Sequence, residues 1–460
     1  MSVVHRIAIE TRPGETRVAL IDQENTPIQF LIERDHERSL VGGIYLGRVA
    51  AVRKSIGAAF INIGAGIDGF LNIKEGAKDA CGTAINEGVA ILVQVNRDAE
   101  ASKGPSLTTQ IDIAGKYMVM TPGKSGIGVS KRITEDAKRD RIRSCFDDLD
   151  VEKMGFVVRT AAQTIESDKL EAEALNLMGT WDALQSDAKA SAVPSIIQQS
   201  QSLALRVVNA WARDHTDVVV VDSPLAAQLI QDGSDVGDLV RQTNNIPAFE
   251  DTGVADAFEG ALLPTIPLGS GGSIIVSETP AMATIDVNAG RGQGGDAERF
   301  ALDINLEAAE ATAQAILQRN IGGLIAIDFM RMKKSENKAS VLSALRRAFA
   351  DNPRSPRIGD FSAFGLVDVV CRREGKSLGE HYLSNQNVKS VETLAIDILT
   401  SLNRRGGTSA HVRVSKDVND VLHGALSGSV KGLEDRLGFA IDIEMIDVTD
   451  AQHYEIVDDI

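Results

Sequence analysis

The chain has 460 residues, 43% of them hydrophobic and 24% charged, with a formal net charge of −16; this predicts about three globular domains and excludes bulk electrostatic attraction to nucleic acid or anionic membrane, so such binding must use local basic patches. Cys81, Cys145 and Cys371 stand far apart with no CxxC pair, which excludes a disulfide framework and a cysteine-rich zinc site. The N-terminus lacks a signal-peptide core and no uncharged run approaches the ~18 residues of a membrane span, so no membrane span and a cytoplasmic location are expected.

Residues 6–34 alternate, with Ile7 and Ile9, then Val18 and Leu20, then Ile28, Phe30 and Ile32, around a turn at Pro13-Gly14. This predicts a β-meander that must pair with strands further along. Residues 38–115 are denser in strands, with glycines at the corners of 43–49, 58–64, 68–71 and 90–95. Such a pattern predicts a small five-stranded OB barrel. Phe60 and Phe70 fall on strands that share a face. Spacing leaves two places for them, the barrel interior or an outer face where aromatic rings stack bases.

From 116 to 143, eight basic residues face three acidic ones, and Gly123–Ser130 is a glycine-rich loop able to offer backbone N–H groups to phosphate. It is not a P-loop, because no Gly-Lys-Ser/Thr closes the spacing into a helix. A helix of about a dozen residues follows, with Thr134 expected as its N-cap. The strand at 155–162 carries Arg159-Thr160, a guanidinium fork and a hydroxyl that suit a phosphate or an ordinary strand end equally well. Residues 167–213 read as helical, broken near 187–194. Val218–Asp222 reads as a buried strand followed by a helix at 224–232, completing one α/β sheet with the meander. The segment 233–270 reads as loop-rich.

A hairpin is predicted at 273–288, its second arm carrying Thr284-Ile285-Asp286-Val287-Asn288. Leu306, Ala309, Ala313, Ile316 and Leu317 then fall at helical spacing. Gly322–Phe329 follows as a buried strand ending on Asp328, so a parallel strand pair with a helical crossover is the natural topology. A second basic stretch, 331–373, has ten basic residues against four acidic ones. Positive charge beside two carboxylates is the layout expected where a polyanion meets a cation site. Asp286 and Asp328 suit a hard cation such as Mg²⁺, and Asn288 shares the face of Asp286 because strand side chains alternate. The tail predicts a helix at 391–403, a turn at 404–407, a strand at 410–414, a helix around 430–436 and a strand at 439–446.

Taken in order, several stretches resemble the ribonuclease E/G family of bacterial endoribonucleases nearly end to end. They are Val41–Val49, Ala58-Ala59-Phe60, Gly69-Phe70-Leu71, Lys103–Thr109, Gly128–Ile133, Val158–Ala161, Ala283–Asn288, Asn305–Ala309, Gly322–Phe329 and Phe364–Val367. The resemblance implies an α/β multidomain fold. An S1-type OB barrel (38–115) and a 5′-end sensor region (116–205) are inserted into an RNase H-like domain (1–37 and 206–262). A DNase I-like α/β catalytic subdomain (263–384) and a small α+β C-terminal domain (385–460) follow. It also implies Mg²⁺ on Asp286 and Asp328 with Asn288 assisting, single-stranded RNA on Phe60, Phe70 and Lys103, and a 5′-monophosphate gripped at Val129, Arg159 and Thr160.

Departures from the family pattern are specific. Its CPxC zinc-link is absent, since Leu383–Val388 holds no Cys. Structural Zn²⁺ is therefore not expected, and any homodimer or tetramer must form without that link. Leu46 stands where the family carries a Lys on the OB face, and Arg331 where it carries an acidic residue. The long scaffold tail of the larger members is not expected. The expected function is a Mg²⁺-dependent endoribonuclease of single-stranded RNA with 5′-monophosphate sensing, acting in rRNA processing or mRNA decay. The alternative is a catalytically weak or inactive paralogue that recognises RNA 5′ ends.

Overall fold

The computed structural model describes residues 4–74, 76–99, 103–212, 216–234, 236–290, 296–350, 354–373, 375–384, 388–405, 409–447 and 452–457. They form a mixed α/β protein of two compact units. One comprises Met1–Arg38, Val207–Ile230 and Leu239–Ile460; the other comprises Ser39–Arg206 and Gln231–Asp238. No described helix is long and apolar enough to cross a membrane.

In the first unit the meander pairs as predicted, Arg6–Arg12 with Glu15–Ile21 and Glu15–Ile21 with Pro27–Arg34. Val218–Val221 and then Val240–Gln242 extend its open edge in parallel. The loop-rich 233–270 segment also contains helices Ala248–Asp251 and Ala255–Leu262 and strands Val240–Gln242 and Thr265–Pro267. Phe249 and Phe258 of these helices are fully buried against Phe30 of the meander. The partner that makes them helical is some 220 residues away in the chain, so local periodicity carries little of the signal.

A six-stranded sheet follows, in the order Thr265–Pro267, Ser273–Glu278, Ala283–Asn288, Gly323–Asp328, Leu366–Cys371 and Arg357–Phe361. Its central pair is parallel and joined by the helix Ala297–Gln318, as the crossover reading requires. That helix and Ser335–Ala348 pack on one face over Ile285, Val287, Ile325, Ile327, Val367 and Val369. On the other face, Thr284, Asp286, Asn288, Leu324, Asp328 and Asp368 are exposed. Period-two alternation therefore places apolar side chains under the helices and the carboxylates on the open side.

The C-terminal part is a three-stranded sheet, Ile441–Met445, Ala410–Val414 and Tyr454–Val457, with helices Val391–Arg405, Lys416–His423 and Ser427–Leu437. The helix Lys416–His423 and the strand Tyr454–Val457 were not anticipated. The 404–407 turn reaches into residues 406–407, and the zinc-link stretch into 385–387; both lie outside the described residues.

In the second unit, five strands close a barrel consistent with the OB type. Ile44–Arg53, Ala58–Asn62, Gly69–Asn72, Ser106–Thr108 and Ala90–Arg97 pair in sequence, and the last returns to the first. Tyr45, Val49, Ile61, Leu71, Ile91 and Val93 fill its interior. An unanticipated strand, Ser195–Gln198, adds to the edge of Ile44–Arg53. Leu46 is buried between Ser195 and Leu92 in that ladder, so its departure from the family lies at a packed position and not on an open face. A four-stranded sheet, Ile127–Val129, Met154–Val158, Met118–Pro122 and Ile113–Ala114, packs with helices Asp136–Ser144 and Ser167–Ala190. The first of these helices is capped at Glu135 rather than Thr134, with no side-chain capping bond.

Candidate active site

Asp286 and Asp328 are direct neighbours in the parallel ladder, so their carboxylates rise side by side from strands about 4.8 Å apart. Asn288 donates from Nδ2 to Asp286 Oδ2 at 2.7 Å, fixing one carboxylate oxygen and leaving the other open. Asp368, opposite Ala326 on the next strand, brings a third carboxylate to the same face. The donor set is oxygen alone, without thiol or imidazole. That fits a hard divalent cation, which commonly takes one or two carboxylates and completes its shell with water and substrate phosphate. No group of three or more His, Cys, Asp or Glu among the described residues forms a ready-made metal cage.

The supports around this pair were not anticipated. Fully buried Asn305 on the crossover helix donates from Nδ2 to the Met330 carbonyl and accepts from the Met330 N–H, both at 2.9 Å. This clamps the chain two residues beyond Asp328. Glu298 in the first turn of the same helix accepts from the N–H groups of Lys333 and Lys334 and from Asn337 Nδ2. The backbone bonds from Lys333 and Lys334 hold its carboxyl below the usual range. At the Asn288 end, Glu307 accepts from the N–H groups of Gly269 and Ser270. Gly290 sits at φ +40°, where a Cβ would lie 2.0 Å from the Gly271 carbonyl oxygen. The sequence signal available for Asn305 was a polar residue inside an apolar helical stripe. Glu298 and Gly290 depend on long-range packing.

The barrel resolves the two readings of its phenylalanines. Phe60 and Phe70 are cross-strand neighbours on the outer face, with ring centroids 6.1 Å apart and planes at 76°. Phe70 is 38% exposed. Together with Ile67, Arg97, Lys103 and Ser106 they line a groove of about 740 Å³. Gly104 is required there, because a Cβ would approach the Asp68 carbonyl oxygen to 1.9 Å.

Val129, Arg159 and Thr160 are also brought together. Val129 pairs with Val158, which immediately precedes Arg159. Ser130 Oγ lies 2.9 Å from Thr160 Oγ1, and the Arg159 N–H donates to the Tyr117 carbonyl at 2.8 Å. Tyr117 N–H in turn donates to both oxygens of Glu173 at 3.0 Å. Burial pushes the Glu173 carboxyl up, against those backbone bonds and the charge of Arg159. The Gly123–Ser130 loop is shorter than expected, since Ile127–Val129 is a strand.

Both basic stretches contain residues that serve the fold. Arg139 donates to the Ser130 and Ile133 carbonyls, and Arg141 to those of Ile165 and Gln163. Arg354 is buried on the carbonyls of Ile316 and Ile321. Lys138, Arg143, Arg346, Arg347 and Arg373 make ion pairs. Arg331, Lys333, Lys334 and Arg357 remain exposed beside the carboxylate sheet.

Comparison with known proteins identifies relatives of the chain. Residues 112–374 match the model of the ribonuclease E/G family. Ribonuclease G of Haemophilus influenzae is 30% identical over 86% of this chain and 87% of its own. Ribonuclease G of Escherichia coli is 29% identical over 98% of this chain and 99% of its own. Ribonuclease E of Escherichia coli is 28% identical over 97% of this chain and 45% of its own. A closed barrel that fits an S1-like domain, an oxygen-only carboxylate pair and these matches lead to one assignment: the chain belongs to the ribonuclease E/G family of endoribonucleases, hydrolases acting on RNA.

Proposed function

We propose that this endoribonuclease, acting in RNA processing or decay, cuts single-stranded RNA with Mg²⁺ held by Asp286 and Asp328. The observation that carries the reading is the register of these two aspartates on the open face, with Asn288 bonded to the first. Bound there, Mg²⁺ would polarise the phosphoryl oxygen and lower the pKa of a water, the two needs of phosphodiester hydrolysis. Asn288 orients Asp286 by holding one of its oxygens. The Asn305 clamp on Met330 holds the chain that leaves Asp328, and the exposed Arg331, Lys333 and Lys334 attract the phosphate backbone. Phe60, Phe70 and Lys103 supply two stacking rings and a cation for single-stranded RNA.

Domain names follow the same reading. The meander extended by two parallel strands supports an RNase H-like domain interrupted by the barrel unit, and the six-stranded sheet supports a DNase I-like catalytic subdomain. The test is cleavage of an A/U-rich oligonucleotide. Asp286→Asn is expected to abolish cutting while RNA binding persists, and EDTA to stop the wild type. Equal cleavage by the variant refutes the assignment of Asp286, and reproducible inactivity of the wild type with Mg²⁺ supports a binding paralogue.

The finer reading is 5′-monophosphate sensing by Arg159 and Thr160, with the Val129 backbone. Its support is the adjacency of Arg159 and Thr160 at the end of the strand Met154–Val158, with the Thr160 hydroxyl beside that of Ser130, and Arg159 making no side-chain hydrogen bond or ion pair among the described residues. Arg159→Ala is expected to slow cutting of 5′-monophosphorylated RNA about ten-fold while leaving 5′-hydroxyl RNA nearly unchanged, the loss of one charge-assisted phosphate contact. Equal slowing of both substrates makes the pair structural.

A further inference from the structure

The hairpin between Arg357–Phe361 and Leu366–Cys371 ends in Ser362-Ala363-Phe364-Gly365. Phe364 is 92% exposed, the most exposed large apolar side chain among the described residues. The tip that carries it is tied: the Ser362 N–H donates to the Leu366 carbonyl at 2.8 Å, the Gly365 N–H to the Ser362 carbonyl at 3.0 Å, and the Leu366 N–H to Ser362 Oγ at 3.1 Å. Gly365 turns the chain at φ +93°, a conformation that favours glycine. Phe361, three residues earlier, is by contrast half-buried against Phe329 with a ring-centroid distance of 5.9 Å. A ring held in solvent on a fixed turn contributes nothing to the core.

Its position gives it a use. Leu366 lies directly across the ladder from Asp328, about 4.8 Å away. Phe364 is two residues before Leu366 in the chain, at most about 7 Å more. The same end of the sheet carries Asn288 and the exposed cations Arg331, Lys333 and Lys334. A solvent-facing aromatic among exposed cations is the combination that binds single-stranded nucleic acid, the ring under a base and the charges along the backbone. That positive charge also disfavours a purely apolar protein partner.

We propose that Phe364 is a positioning residue of the nuclease: it stacks on a nucleobase flanking the phosphate presented to Asp286 and Asp328. This rests on the assignment of those aspartates, which Asp286→Asn tests separately on the same oligonucleotide. The experiment measures kcat/KM for wild type, Phe364→Ala and Phe364→Tyr on a single-site oligonucleotide, and on a series with one abasic residue at each position around the cut. Phe364→Ala is expected to lose about ten-fold on the intact oligonucleotide, within the range measured for one base–aromatic stack. Phe364→Tyr should keep most of the activity. At one abasic position the wild type should fall to the level of Phe364→Ala, and the variant should lose nothing more. Intact cleavage by Phe364→Ala overturns the proposal, as does a loss that no abasic position absorbs. A change of oligomeric state in sedimentation, without that coupling, assigns the ring to a second copy of the chain and overturns it as well.

Discussion

Single side chains decide how firmly the two aspartates are held, and Asn305 is the clearest case. It has no exposure, and its amide uses both functions on the backbone of Met330. A leucine of similar size would leave that N–H and carbonyl without their partner. Each buried unmade bond costs about 1–3 kcal/mol. Asn305→Leu is therefore expected to lower stability by roughly 2–4 kcal/mol. The chain after Asp328 should also loosen, so kcat should fall more than RNA affinity, because misplacement by about 1 Å at a catalytic group is costly in rate and not in binding. Urea unfolding and single-turnover cleavage read the two effects. A variant that melts and cuts like the wild type shows that water replaces the amide and that the clamp has no bearing on the site.

At the scale of elements, the carboxylate hairpin and its crossover were legible for one reason. Ala283, Ile285 and Val287 alternate with Thr284, Asp286 and Asn288, and a sheet covered on one side by helices must sort them to opposite faces. The barrel was legible from glycine corners between short alternating runs. What escaped was held together by distant partners. Ser195–Gln198 is a strand only because the edge of Ile44–Arg53 is available to it. The helices at 248–251 and 255–262 are too short for a helical period to stand out, and their aromatics find their cavity in the N-terminal meander. The candidate site divides the same way. Asp286, Asn288 and Asp328 announce themselves by residue type at strand ends. Glu298, Glu307 and Gly290 act through hydrogen bonds and close approaches that no local pattern encodes, and Phe364 was read only as part of a motif, its exposure being a property of the folded hairpin.

Across the first unit, the two ends of the chain are joined by buried charge. Arg12 meets Glu15, Asp397 and Thr400, and Arg34 meets Glu392 and Thr393, so the N-terminal strands grip the helix Val391–Arg405. Removing one partner from such a pair costs about 3–5 kcal/mol, because the other charge is left buried. Asp222 is the contrasting group in this unit. It ends the strand Val218–Val221 and accepts the Thr11 N–H on Oδ1 at 2.8 Å. Burial, with Glu10 nearby, pushes its carboxyl from 3.8 up to about 6, against the Thr11 bond and Arg17. Between about pH 4 and pH 6 the folded chain thus holds a proton that the unfolded chain has released, so stability falls as pH rises through that window and stays reduced above it. The difference corresponds to roughly 2–3 kcal/mol. Asp222→Asn keeps an oxygen for Thr11 and removes the charge. It should raise the denaturation midpoint at pH 8, with the gain shrinking towards zero near pH 4. Urea unfolding of both proteins at the two pH values measures this. An equal gain at pH 4 and pH 8 assigns the effect to packing and removes Asp222 as the source of the pH dependence.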